Sequence, residues 1–359
     1  MEQHDAMGML DLIVGPAFCV KDRVVVRINK AAEGRMIAVG RAIDPMIVTG
    51  QQEYADFTDG CLYLTLELSG LRQGASVTRM GDMDVFLLEQ DIGQSELRAM
   101  SLAALHLREP LSNVMAVVNQ LLPLVERVDD PSVKDQAAHL NRGLFQMLRI
   151  LGNMSDANRY QRDTNTRQET REVSSYVGEL FDKLAIMTQH AGVSLRFVNL
   201  QEPVYCLIHA EKLERAIYNI LSNAVKFTPK GGTIDAKLVR RGNRLYLTVQ
   251  DGGTGIPKEQ PDIHFRFLRE PGIDDNRHGI GLGMVIIRSA AAAHGGTVLV
   301  EQPEGAGMRL TMTMEIRQNK SNDVRSPIVR VDYAGEWDHS LIELSETLPY
   351  TLYGEGRGI

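Results

Sequence analysis

At 359 residues, with 43% hydrophobic and 24% charged residues, the chain has the makeup of a globular protein of two or three domains. A net charge of −7 gives no electrostatic case for binding nucleic acid or an anionic membrane. The three cysteines (Cys19, Cys61, Cys206) match no metal spacing or disulfide framework, and no apolar run approaches the roughly 20 residues of a membrane helix. The start, MEQHDAM, is acidic and lacks the basic opening of a signal peptide, so a cytoplasmic protein with no membrane segment is expected.

Residues 1–92 alternate short apolar runs with turn signals. AFCVKD, VVVRI, CLYLTLEL, ASVTRM and DVFLLEQ read as strands, and the stretch 29–59 reads as short helices. Two strands, a helical middle and three strands resemble the layout of a PAS sensor domain, and VVVRINKAA resembles that family's passage from strand into helix. The resemblance implies an α+β sensor whose cavity either binds a ligand or transmits strain.

Residues 93–162 change character. Leu97, Met100, Ala104, Leu107, Leu111, Val114, Val118, Leu121 and Val125 recur in alternating steps of three and four, the period of a helical bundle seam. DDPS then ends one helix and starts another, with Asp130 as N-cap and Pro131 in the first turn. Ala137, Leu140, Leu144, Met147, Leu151 and Met154 continue the period. A two-helix hairpin cannot cover such a seam alone, so pairing of two copies into a four-helix bundle is expected. Leu111 and Leu144 are the seam positions at which a charge should separate the copies. Pro110 and Pro123 are expected to kink the first helix.

Three stretches of the next region, 170–317, carry chemistry. In ERAIYNILSNAVKFTP, Asn219 and Asn223 share a helix face that Lys226 extends. An amide oxygen is a suitable ligand for Mg²⁺, and a lysine nearby can neutralise phosphate. In LYLTVQDGGTGIP, a strand delivers Asp251, whose carboxylate can accept a hydrogen bond from the adenine amine. Gly253 and Gly255 let the backbone approach the base. In HGIGLGMVIIR, Gly279, Gly281 and Gly283 precede an apolar helix, whose backbone N–H groups can bind phosphate oxygens. Each stretch is common by itself: an Asn pair is usually a surface feature, and a glycine loop is usually a turn. Arranged in this order, and followed by AAHGGTVLV, they form one site.

The region from about 205 to 317 resembles the catalytic ATP-binding domain of sensor histidine kinases, with the family's N-box in ERAIYNILSNAVKFTP and its two glycine boxes in DGGTGIP and GIGLGM. The resemblance implies an α/β sandwich, a mixed sheet with helices on one face, that holds ATP and Mg²⁺. It assigns metal and phosphate contacts to Asn219, Asn223 and Lys226, with Asn223 as the direct metal ligand. Asp251 becomes the adenine contact, and Gly279, Gly281 and Gly283 become lid glycines. One departure lies in DIHFRFLRE, where His264 takes the place of the family's first phenylalanine and Phe267 fills the second. ATPases of the same fold carry a glutamate where this chain has Asn219, an amide that cannot act as a base. That favours phosphoryl transfer over hydrolysis. The hairpin likewise resembles the family's dimerisation and phosphoacceptor domain.

The acceptor helix departs from the family. Its pattern H-E-L-R-T-P-L aligns with residues 105–111, so Leu105 takes the acceptor position and His106 stands where the family has an acidic residue. The two differ by about 100° around a helix. Phosphoryl transfer requires in-line geometry, and a misplacement near 1 Å costs about 10²-fold. Three readings stay open. The chain is a sensor histidine kinase of a two-component system, a homodimer that uses His106 through distortion at Pro110 and passes phosphate to a response regulator receiver domain. Alternatively it is a degenerate kinase that binds ATP as a sensor or scaffold without autophosphorylation. The third reading is a kinase acting on another protein. Residues 318–359 begin polar (QNKSND) and end in WDHSLIELSETLPYTLY, a C-terminal extension ordered in pattern but without an assigned role.

Overall fold

A computed structural model describes residues 10, 13–35, 37–89, 94–162, 168–253, 255, 282–303, 307–317 and 338–354. The expected N-terminal strands form as β1 (Ala17–Lys21), β2 (Val24–Ile28), β4 (Cys61–Leu68), β5 (Leu71–Met80) and β6 (Met83–Leu88). The stretch between β2 and β4 contains short 3-10 turns, a three-residue strand β3 (Ile47–Thr49) and helix α1 (Gln51–Asp56), not helices alone. The five longer strands lie antiparallel in the order β2-β1-β6-β5-β4. Their inner face is filled: Phe18 stacks on Phe86 at 4.9 Å, and Tyr54 meets Phe86 edge-on at 5.5 Å. Buried Asp84 is matched by Tyr54 Oη, which donates to it at 2.7 Å, and by the Arg79 guanidinium.

The hairpin is α2 (Gln94–Val125) and α3 (Pro131–Arg162). Asp130 caps α3 as expected, its Oδ1 accepting from Ser132 N–H at 2.9 Å. Helix α2 runs unbroken through Pro110 and Pro123. The seam, however, divides into two faces. Ala104, Leu111, Met115, Val118 and Leu122 are buried within the chain, as are Leu144, Leu148 and Leu151 of α3. Leu107, Val114, Leu121, Leu140 and Met147 stay between 48% and 56% exposed. Leu111 and Leu144 are therefore intrachain core, and a charge there would disrupt the hairpin itself. A helix touching two neighbours needs a stripe wider than one heptad seam, and only one half of it is covered here.

The third region supplies β7 (Glu169–Glu172), α4 (Val173–His190), β8 (Ser194–Val198), β9 (Tyr205–Ile208), α5 (Ala210–Phe227), β10 (Thr233–Arg241), β11 (Arg244–Gln250), α6 (Leu282–Ala293), β12 (Val298–Glu301) and β13 (Arg309–Glu315). Strands β12-β13-β11-β10-β8 make a mixed sheet, β8 and β10 being parallel. Helix α5 has a strongly one-sided pattern, and Leu213, Ala216, Ile217 and Leu221 are buried in the domain core. Among the described residues, no helix is long and apolar enough to cross a membrane.

The two sheets are one. Strand β4 pairs antiparallel with β12, with Tyr63 opposite Val298 and Cys61 opposite Val300, making a single 11-stranded sheet. Gly60 permits this approach: its φ is +91°, and a Cβ there would collide with the Val300 carbonyl oxygen. Arg244 pairs with Glu53 at 2.6 Å, while Arg288 pairs with Glu89 and lies over the Tyr63 ring. The sequence contains no sign of this junction, because an edge strand reads the same whatever partners it.

His294 fixes the end of α6 to the start of α5. Its Nδ1 lies 2.7 Å from the Ala290 carbonyl oxygen, and its Nε2 accepts from His209 N–H at 3.0 Å. That pairing needs a neutral ring. Burial, helped by the nearby positive charge of Lys212 and Arg317, pushes His294 down to about 4. The unfolded chain takes up this proton first, so stability should fall as pH drops from 6.5 towards 4. The loss should be roughly 3 kcal/mol. Denaturant titrations across that range test it, and His294→Gln, which cannot protonate, should flatten the slope.

Candidate functional site

The site begins where β11 ends. Asp251 is buried, its N–H donates to the Met308 carbonyl at 2.9 Å, and its Oδ1 accepts from Gly253 N–H at 2.9 Å. Desolvation raises its pKa, and the backbone groups of Gly253 and Met308 partly offset the rise. The carboxylate is thus held in a dry, preset orientation suited to accepting one hydrogen bond from a ligand amine. The glycines around it are a steric requirement. A Cβ on Gly253 would lie 2.7 Å from the Phe227 carbonyl oxygen, and Gly255 has a φ of +65°.

The second wall is α5. Asn219 is buried, with Nδ2 donating to the Arg215 carbonyl at 2.8 Å. Its Oδ1 lies against Gly283 in the first turn of α6, where a Cβ would sit 2.9 Å away. Asn223, one turn further on, is exposed, and Lys226 lies on the same flank. The predicted shared face therefore separates by depth: Asn219 sets the packing of α5 on α6, and Asn223 is open to a ligand. Among the described residues, no group of three or more His, Cys, Asp or Glu could hold a metal. A divalent ion here would rely on the Asn223 amide oxygen together with nucleotide phosphates. The buried carboxylate, the glycine cradle and the flank of amide and amine fit ATP with such an ion. Gly279, Gly281, His264 and Phe267 lie outside the described residues.

Two residues of the site escaped sequence reasoning. Gly307 faces Asp251, where a Cβ would collide with Oδ1 and lie 2.7 Å from the Asp251 carbonyl oxygen. Thr228 ties the end of α5 to the glycine loop, donating to the Ala224 carbonyl at 2.7 Å and accepting from Gly252 N–H at 3.3 Å. Thr228 was visible in the KFTP of the N-box. Gly307 carried no signal beyond preceding the last strand. On α2, Leu105 and His106 are both exposed while Ala104 is buried, as the heptad requires.

Residues 208–318 match the family described as "Histidine kinase-, DNA gyrase B-, and HSP90-like ATPase". The chain is similar to hybrid signal transduction histidine kinase D of Dictyostelium discoideum, 26% identical over 69% of this chain and 17% of that protein. It is similar to sensor histidine kinase WalK of Bacillus subtilis, 27% identical over 50% of this chain and 30% of the relative. Sensor histidine kinase CusS of Escherichia coli is 34% identical over 38% of this chain and 28% of its own. The chain thus spans less than a third of each of these relatives. It is a homologue of the sensor histidine kinases and carries an ATP-binding domain of the type shared by those kinases, gyrase B and HSP90.

Asp251→Asn replaces a charged acceptor by an amide that presents either end, and should weaken ATP binding by roughly 1.5–3 kcal/mol. Gly307→Ala should weaken it too, by displacing the Asp251 carboxylate. Calorimetric titration with ATP checks both, and circular dichroism unchanged from the parent would assign the loss to the site.

Proposed function

We propose that the chain is a cytoplasmic sensor histidine kinase of a two-component system. In this reading residues 1–92 are a PAS-like sensor, 93–162 the dimerisation and phosphoacceptor hairpin, and 170–317 the catalytic domain. Asp251 selects adenine, Asn223 holds Mg²⁺ against the phosphates, and Lys226 offsets their charge. A His106 ring nitrogen attacks the γ-phosphorus, the bond to the ADP oxygen breaks, and the phosphoryl group then passes to a receiver domain. The observation that carries the reading is the preset Asp251 carboxylate in its glycine cradle, on the same chain as a hairpin with an exposed histidine. The three cysteines are free and buried, in keeping with a reducing compartment. The filled core of the N-terminal sheet favours a sensor that transmits strain over one that encloses a ligand.

A second reading rests on α2. The helix continues through Pro110 without a break, so His106 keeps its offset from the family's acceptor position, now Leu105. On that reading the chain binds ATP as a degenerate kinase without labelling itself.

Incubation with γ-labelled ATP separates the two. Acid-labile label that disappears in His106→Gln, with ATP binding retained, is the expected outcome. The double variant Leu105→His, His106→Glu should label more strongly, because it restores both acceptor and acidic neighbour. Absence of label in the parent with tight ATP binding would establish the degenerate reading.

The homodimer is expected to form through the uncovered stripe Leu107, Val114, Leu121, Leu140 and Met147. Leu107→Glu with Met147→Glu should give folded monomers by light scattering at micromolar concentration. Leu111→Glu should instead cost hairpin stability.

A further inference from the structure

The sequence left the C-terminal extension without a role. Its described part, residues 338–354, forms α7 (His339–Glu343) and a 3-10 turn at Tyr350–Tyr353, and it crosses three helices. It starts on α4, where Lys183 pairs with Asp338 at 2.7 Å. It continues over α5, where Glu343 pairs with Arg215, and ends on α3. There Asn141 donates to the Tyr353 carbonyl at 2.8 Å, and Arg142 donates to the Ser345 and Glu346 carbonyls at 2.9 Å. Phe145 packs edge-on to Tyr353, with Leu344 and Leu348 buried alongside.

Glu346 is placed differently from the rest. It reaches Arg149 of α3 at 3.0 Å and Lys226 of α5 at 3.7 Å. Lys226 is the cation assigned above to the nucleotide phosphates. One ammonium cannot be fully committed to a carboxylate and to a triphosphate at once. The charges beneath are paired but poorly aligned: both oxygens of buried Glu343 lack a directed hydrogen bond, as does Arg149 Nε. Burial of these charges is therefore only partly repaid by hydrogen bonds within the contact.

We infer that residues 338–354 are an autoinhibitory strap, which ties the ATP-binding domain to α3 and sets Glu346 in competition with nucleotide phosphate for Lys226. The inference rests on the role proposed for Lys226. It makes strap docking and ATP binding antagonistic, and the antagonism must be reciprocal: whatever factor the strap takes from ATP affinity, ATP takes from strap docking.

The test uses the full chain. Glu346→Gln removes the competing charge. Arg142→Ala loosens the strap from α3 through bonds to its backbone, at a residue with no place in the proposed nucleotide site. Both should bind Mg-ATP roughly two- to fivefold more tightly than the parent, the range set by a half-exposed ion pair. In the parent, saturating Mg-ATP should speed hydrogen exchange at residues 338–354. Equal affinity in all three proteins, with strap exchange unchanged by nucleotide, overturns the strap while leaving the kinase reading intact. If neither the parent nor the variants bind ATP, the proposed function fails, and the strap fails with it. Tighter binding in Glu346→Gln alone would reduce the device to a local charge effect and overturn the strap as a unit.

Discussion

The arrangement of the C-terminal three-quarters of the molecule depends on one buried guanidinium. Arg215, in the middle of α5, is almost wholly out of water and is shared among three parts of the chain. Its Nε donates to Asp156 of α3 at 2.7 Å, its Nη2 to Asn153 at 2.9 Å, and its Nη1 faces Glu343 of the extension. A buried charge is tolerable only when matched by opposite charge and hydrogen bonds. With the extension docked, the hairpin, the ATP-binding domain and the extension are held in one relative placement. Apolar packing of the same elements, with Leu344 in the domain core and Met154 against Leu282, adds energy but little direction.

A second constraint acts at the opposite edge of the domain. The pairing of β4 with β12 satisfies backbone groups that would otherwise leave two open sheet edges, and an open edge is a liability in any sheet protein. The consequence is mechanical. The N-terminal domain touches the ATP-binding domain directly, through a ladder flanked by the Arg244–Glu53 and Arg288–Glu89 pairs. Arg288 of α6 touches Glu89 and the Tyr63 ring of the N-terminal domain, and Gly283 in the first turn of the same helix lies against Asn219, so the two domains are in contact outside the hairpin.

The nucleotide site itself combines groups fixed before any ligand arrives with groups that stay open. Asp251, Asn219 and Thr228 are locked by hydrogen bonds within the domain, so their ordering costs are met on folding. Asn223 lies exposed. This division is in keeping with the proposed roles, fixed groups for the base and open ones for the phosphates.

Much of this was legible in the residues. Alternating apolar runs located the strands, the cap at Asp130 located the start of α3, and the Asp-Gly-Gly and Asn-rich stretches located the site proposed for the nucleotide. Each is a local constraint of period, cap chemistry or glycine geometry, and local constraints act between near neighbours in the chain. The division of each heptad stripe into a buried face and an exposed one was decided only in three dimensions, because periodicity marks apolar positions without saying what covers them. Gly307 was invisible for a related reason: the side chain it must avoid, Asp251, is 56 residues away in sequence. The sheet junction and the course of the extension belong to the same class. Edge strands and amphipathic turns carry no address, and the partner is chosen by whichever surface offers matching backbone groups, apolar area and charge when the chain closes on itself.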